Sequence, residues 1–322
     1  RVVCVKRRGD SAERLWSYRL PAANLLLQAR PTVSGGLLLL VDSGGADGHL
    51  RAVSVDRGEE QWSMPLQRVV RERPVPGERG VVYMSARSAV IAVNTEQRRL
   101  VWNHELDPGR EQVSTPPLWD ARHRHVIFGV QSRAEGGGRV VAVSAEDGRL
   151  AWEERFTGGA PVGEMFICGE TVVSVLSNGI VVGLFRMRKL PESEEGEKVA
   201  RCLWRHTLAA GVSVGAACDG TCVYVLDDTG KLHAVSTEGN PGNRALWSRQ
   251  VEMPARGVAP VVSDRKVYVL EELGRKVTAV ANGLKVWSYS LPDDCKAMTR
   301  PCVVGDLVVV GLEDGRLLAL VR

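Results

Sequence analysis

No apolar run in the sequence is long enough to cross a bilayer. The longest, Leu37–Val41 ("LLLLV"), is far short of the ~20 residues a spanning helix needs, so no transmembrane helix or signal peptide is visible. Charge of either sign is also not in excess. Lys and Arg number 42 against 38 Asp and Glu, a net charge of +4 that gives no argument for a nucleic-acid or membrane surface. Low-complexity segments are missing, and 44% hydrophobic with 25% charged residues describes an ordinary globular chain able to bury a large core. The seven cysteines (Cys4, Cys168, Cys202, Cys218, Cys222, Cys295, Cys302) contain neither a C-x-x-C nor an adjacent pair, which leaves the redox compartment open. Cys218 and Cys222 flank a predicted hairpin turn ("CDGTC") and either bridge two strands or, like the others, are small buried thiols. No phosphate loop, G-x-S-x-G elbow or H-E-x-x-H helix is present.

Helical periodicity is missing nearly everywhere, and repetition takes its place. The phrases "AVSVDRGEEQW", "AVNTEQRRLVW" and "AVSAEDGRLAW" recur at Ala52, Ala92 and Ala142. Trp16, Trp62, Trp102, Trp152, Trp204, Trp247 and Trp287 each close such a phrase, about 40 to 50 residues apart, the length of a four-stranded propeller blade. Before each phrase comes a β-branched run ("VVYMS", "HVIFGV", "TVVSVL", "CVYVL", "KVYVL"), and before that a segment often led by proline ("ARPTVSGG", "ERPVPGERG", "VAPVVSD", "TRPCVVGD"). Proline cannot donate to a ladder, so it suits the start of a strand. Each unit therefore predicts four antiparallel strands, A to D. Strand C ends in Ala-Val, a turn rich in Asp, Asn or Gly follows, and D carries the tryptophan, which fills the gap between neighbouring blades while the alanine leaves room for its ring. The charged stretch at 186–201 ("RMRKLPESEEGEKVAR") reads as a solvated loop within the fourth unit of a single domain spanning 1–322.

"VVVGLEDGRLLAL" at Val308 and "VVAVSAEDGRLAW" at Val140 resemble the PQQ-like repeat, whose unit is a strand, a glycine-containing sequence, Ala-Leu-Asp, a Thr-Gly turn and a closing tryptophan. The resemblance covers essentially the whole chain. It is similar to BamB-like outer-membrane assembly propellers and to the propeller domain of some adenylate-forming enzymes. WD40 repeats fit less well, because no Asp follows these tryptophans. The family implies an all-β β-propeller of four-stranded antiparallel blades, closed by the N-terminal strand. Seven blades are favoured, with Leu15–Leu20 completing the last; eight would follow if a segment upstream of Arg1 supplied half a blade.

A quinoprotein dehydrogenase of this family is expected to show a calcium site, an acidic base, commonly adjacent cysteines and large loop insertions. None of these can be placed here, and the acidic residues fall mostly in turns ("DRGEE", "AEDG", "DDTG", "PDD"), so no enzyme activity, no catalytic residue, no metal and no cofactor are expected. "RHRH" at Arg122–His125 reads as a solvated basic turn rather than a metal site. One pattern stands out. Arg30, Arg73 and Arg300 precede the A-strand prolines of three units, where Thr115, Ala160 and Ala259 stand in others, and Arg68 and Arg71 lie just upstream of one of them. Guanidinium groups so placed would form a positive arc at a channel mouth, suited to carboxylates. The expected function is a non-catalytic scaffold for protein partners with acidic or extended segments, without nucleic acid or a membrane span of its own. The chain would be part of a larger chain or complex, and periplasmic or membrane-associated if BamB-like. The alternative is binding of PQQ or another anionic small ligand, as a sensor or a quinoprotein oxidoreductase.

Overall fold

The computed structural model describes all residues except 1, 10, 23, 24, 28, 45, 46, 134, 135, 188–200, 239–243, 256, 293 and 294. The protein is an all-β propeller of antiparallel blades, as the repeats predict; the described residues hold no α-helix, only a 3-10 turn at Glu272–Gly274. Blade 2 shows the pattern: Val75–Pro76, Val81–Ala86, Ala89–Asn94 and Arg99–Glu105 pair in chain order, each with the next. In blades 1 and 3 the first strand is split in two, as Leu26–Leu27 with Thr32–Ser34 and Glu111–Val113 with Leu118–Asp120. Six blades are complete, and blade 7 has three strands of its own, Cys302–Val304, Leu307–Gly311 and Leu317–Val321. At the N-terminus Val2–Arg8 and Ser11–Tyr18 pair with each other in the register of a blade's third and fourth strands. Pro74, Pro260 and Pro301 stand immediately before the first strands of blades 2, 6 and 7, Pro31 before the second piece of that of blade 1, and Pro161 opens that of blade 4, where no ladder N–H is needed.

The described residues gather into two compact units, Arg1–Ala134 with Arg139–Glu153, and Glu135–Gly138 with Glu154–Arg322. In the first, Leu39 and Leu50 of blade 1 are buried with Met84 and Ile91 of blade 2, and Tyr83 and Trp102 of blade 2 with Phe128 and Val141 of blade 3. In the second, Val173 and Val175 meet Val223 and Val225, and Tyr268 and Leu270 meet Val308 and Val310. A single four-stranded sheet has no second layer. Stacking the β-branched faces supplies it, at about 1.5–3 kcal/mol for each fully buried side chain.

The repeated phrase builds these contacts in a regular way. Ala52, Ala92, Ala234 and Ala279 stand directly opposite Trp62, Trp102, Trp247 and Trp287, and Gly183 opposite Trp204. Immediately after each small residue the register shifts by one, so the residue before the tryptophan is left out of the ladder. The same shift occurs beside Trp16. Such a bulge re-aims the following side chain. In three blades a tyrosine stands on the other side of the alanine, and the two rings meet over it: Tyr83 with Trp102, Tyr224 with Trp247 and Tyr268 with Trp287, at centroid distances of 5.9, 5.9 and 6.1 Å. Trp16 and Trp102 also reach the next turn along the chain. A β-carbon on Gly58 would lie 2.5 Å from the Trp16 ring, and one on Gly148 2.8 Å from Trp102. Both glycines have φ of +71°, a conformation that other residues rarely adopt. Trp16 Nε1 donates to Val55 O (2.7 Å) and Trp102 Nε1 to Ala145 O (2.9 Å). Trp16 and Trp102 thus pack against the turn that follows the third strand of the next blade.

All seven cysteines are free. The thiol that Cys218 meets is Cys168 of blade 4, Sγ to Sγ 3.4 Å, rather than Cys222 across its own hairpin. Most of the insert at 186–201 falls at 188–200, outside the described residues. At its neck Arg201 Nη1 donates to the carbonyls of Phe185 and Met187.

Candidate functional site

The five arginines singled out in the sequence have different environments. Arg300 is half-buried and engaged within its own unit. Its Nε and Nη2 donate to Pro260 O (3.1 and 2.7 Å), and Nη1 faces Glu164 Oε2 at 3.4 Å. Arg68 donates to Glu105 Oε1 (3.1 Å) and Asn103 (3.3 Å) on the last strand of blade 2, so its charge is directed at that edge. Arg30 and Arg73 are exposed. They precede the first strands of neighbouring blades, which Thr32 Oγ1 ties together by donating to Pro74 O at 2.7 Å. Arg71 is exposed on the rim of a cleft in the first unit.

That cleft, about 300 Å³, lies between the first and second strands of blade 2 and the start of blade 3, and its walls include Arg71, Glu72, Arg87, Gln112 and Ser114. Backbone bonds fix its frame. Val70 bridges Ala86, Arg71 N donates to Ser85 O (3.4 Å), and Val113 N donates to Arg87 O (2.9 Å). Arg71 and Arg87 are both exposed, and among the described residues neither guanidinium has a hydrogen-bond or ion-pair partner. Ser114 Oγ is buried and likewise unbonded. Two cations against one carboxylate, beside an unsatisfied hydroxyl, suit an anionic group with further hydrogen-bonding capacity. Arg87 was missed by the sequence reading because it belongs to a turn between strands, not to the proline-led position that aligned the others.

The carboxylates form a second pattern. Asp147, Asp219 and Asp314 hold turns by accepting backbone N–H groups, as predicted. Asp42, Asp227 and Glu271 do more. They occupy the same register at the end of the second strand in blades 1, 5 and 6, all buried, and each meets the residue preceding the alanine on the third strand: Arg51, His233 and Thr278 respectively. In blade 2 those two positions are Ala86 and Ile91, and in blade 4 Leu176 and Val182. Acid and polar partner thus come and go together, which marks them as a cross-strand clasp. His123 has a related role: its Nδ1 lies 3.0 Å from buried Asp120, and its ring stacks on His125. Among the described residues no three His, Cys, Asp or Glu side chains are grouped to hold a metal.

Burial pushes the Asp227 carboxyl up, but the Thr229 hydroxyl, the His233 ring and the Lys231 N–H outweigh it and hold the group below its ordinary range. A lowered folded-state value contributes stability that is present above the unfolded value near ~4 and lost as pH falls through the folded one. Thermal stability should therefore decline below about pH 4, and Asp227→Asn should flatten that decline. Melting curves across that range check this, and an identical acid profile for the variant would remove Asp227 from the account.

The repeated strand-turn-tryptophan phrase and its blade-to-blade docking define a β-propeller of PQQ-like repeats. The family model described as outer membrane protein assembly factor BamB matches residues 46–187 and 197–322, and the chain belongs to that family. It is 22% identical over 324 residues to outer membrane protein assembly factor BamB of Yersinia pestis, an alignment covering 97% of this chain and 78% of that protein. Among solved structures, BamB from Moraxella catarrhalis shares the fold with a TM-score of 0.68 at 14% identity, covering 92% of this chain and 86% of that one. Quinohemoprotein alcohol dehydrogenase from Comamonas testosteroni also has a TM-score of 0.68 at 14% identity, over 95% of this chain and 66% of that one. At such identities the likeness is one of fold. No helix among the described residues is long and apolar enough to cross a membrane.

Proposed function

We propose that the protein is a non-catalytic scaffold, BamB-like in serving a membrane-associated assembly, that captures an acidic, extended segment of a protein partner at the Arg71–Arg87 cleft. The observation that carries this reading is the pair of unpartnered guanidinium groups beside the orphan Ser114 hydroxyl. Carboxylates from a strand-like segment would meet the arginines while its backbone supplied an acceptor for Ser114, a mode in which side-chain charge sets the choice of partner. Membership of the BamB family supports the scaffold role, and the engagement of Asp42, Asp227 and Glu271 within their own blades supports a role without catalysis.

The test is binding of a fluorescent oligo-glutamate peptide, with its glutamine counterpart as control. Arg71→Ala/Arg87→Ala should weaken glutamate binding roughly tenfold or more and leave Tm unchanged, and added salt should weaken binding to the parent protein. Equal affinity for both peptides, or an unaffected double variant, would overturn the reading. The competing reading, a quinoprotein, is examined by titration with PQQ and calcium: saturable binding with dye reduction would replace the scaffold by an oxidoreductase.

A further inference from the structure

Cys168 is the last residue of Pro161–Cys168, the first strand of blade 4, and Cys218 is the last of Ala216–Cys218, the first strand of blade 5. The two strands converge closely. A β-carbon on Gly163 would come within 2.5 Å of Gly215 Cα, and both glycines have positive φ, +68° and +86°. At the cysteine end the two sulfurs lie 3.4 Å apart, with no side chain needed to bridge them. The backbone N–H of Gly220 points at Cys218 Sγ from 3.2 Å, a donor placed to stabilise a thiolate. Cys168 is buried and Cys218 is partly exposed, so only the second presents itself to a reagent in solution.

We propose that Cys168 and Cys218 are a thiol pair that a low-molecular-weight disulfide, of the oxidised glutathione class, converts into a covalent link between blades 4 and 5. Cys218 is the attacking sulfur. The contact with Cys168 lowers its pKa, burial works against this, and Gly220 N–H adds to the lowering, whereas Cys168 is pushed up. The Cys218 thiolate attacks one sulfur of R–S–S–R, the S–S bond breaks, and one R–S⁻ departs to take up a proton. Cys168 then loses its proton, attacks Cys218 Sγ in the mixed disulfide and expels the second R–S⁻. Two protein thiols and one disulfide become one protein disulfide and two R–SH, with two electrons passing from the pair to the reagent. Closing the bond brings the sulfurs from 3.4 Å to about 2.05 Å, a shift that side-chain rotation can supply.

The experiment incubates the folded protein in glutathione buffers of increasing oxidised fraction, blocks remaining thiols with a maleimide and maps the peptides. The parent protein and Cys222→Ser should both yield a peptide pair joined through Cys168 and Cys218, two hydrogens lighter than the reduced pair, and a raised Tm. Cys168→Ser should instead accumulate a glutathione adduct on Cys218. The proposal is overturned if the Cys168–Cys218 peptide fails to form at any buffer composition, if Cys218 joins Cys222 instead, or if Cys168 rather than Cys218 carries the adduct in the parent protein.

Discussion

Asp42→Ala should destabilise the protein by about 3–5 kcal/mol, and adding Arg51→Ile should restore most of that loss. Asp42 is fully buried and the Arg51 side chain is only 7% exposed; the two form an ion pair, with Arg51 Nη1 reaching on to Glu60 at 3.2 Å. Tyr18 donates to the same Glu60 from the N-terminal ladder. Removing the aspartate alone leaves a buried guanidinium whose remaining partner is partly solvated, and the cost is that of an uncompensated interior charge. Removing both charges leaves an alanine and an isoleucine in the register where blade 2 already carries Ala86 and Ile91, 6% and 1% exposed. The sheet has thus solved the same rung in two ways, one polar and one apolar. Urea unfolding of the parent protein, the single and the double variant measures this. A double variant no more stable than Asp42→Ala would show that the clasp is not separable from its surroundings.

Trp102→Ala should cost about 3–5 kcal/mol by the same measurement, and here no second substitution is expected to compensate. The indole is 7% exposed, stacks with Tyr83, covers Gly148 and donates to Ala145 O, so its loss opens a void between two blades and strands a carbonyl. Trp102→Phe keeps the ring but forfeits the hydrogen bond and should cost about 1–2 kcal/mol. Trp287 provides the contrast. Its Nε1 is buried without a hydrogen-bond partner among the described residues, so Trp287→Phe should be milder than Trp102→Phe. Equal losses at the two sites would mean that the Nε1–carbonyl bond contributes nothing to docking.

Period and strand count per blade were legible because they depend on local alternation and on a phrase repeated at constant length. The bulge that precedes a tryptophan was not, since Leu246 and Val286 look like ordinary strand residues until the register of the partner strand is known. The clasp left a trace that local reading passed over. Asp227 was assigned to its turn, and its side chain does bond Thr229 and Lys231 there, but the same carboxylate also holds His233 on the neighbouring strand. The proline-led alignment placed Arg30, Arg73 and Arg300 each just ahead of a proline, yet the carboxylate that Arg300 faces is Glu164, 136 residues earlier, which no local pattern discloses. Arg71 was named, while Arg87 became visible only when a turn of blade 2 and the start of blade 3 were found around one cleft.

The skipped residue beside six of the tryptophans also bears on solubility. The fourth strand of a blade has one unpaired side, a row of N–H and C=O groups that could template a foreign strand. In four of these strands the skipped residue is apolar and well exposed, Leu15, Val101, Leu246 and Val286, the composition that makes an edge adhesive. The bulge breaks the strand's hydrogen-bonding rhythm at that very residue and increases its twist, so an incoming strand cannot pair along the whole edge. A device that aims an indole inward therefore also guards the rim against edge-to-edge aggregation.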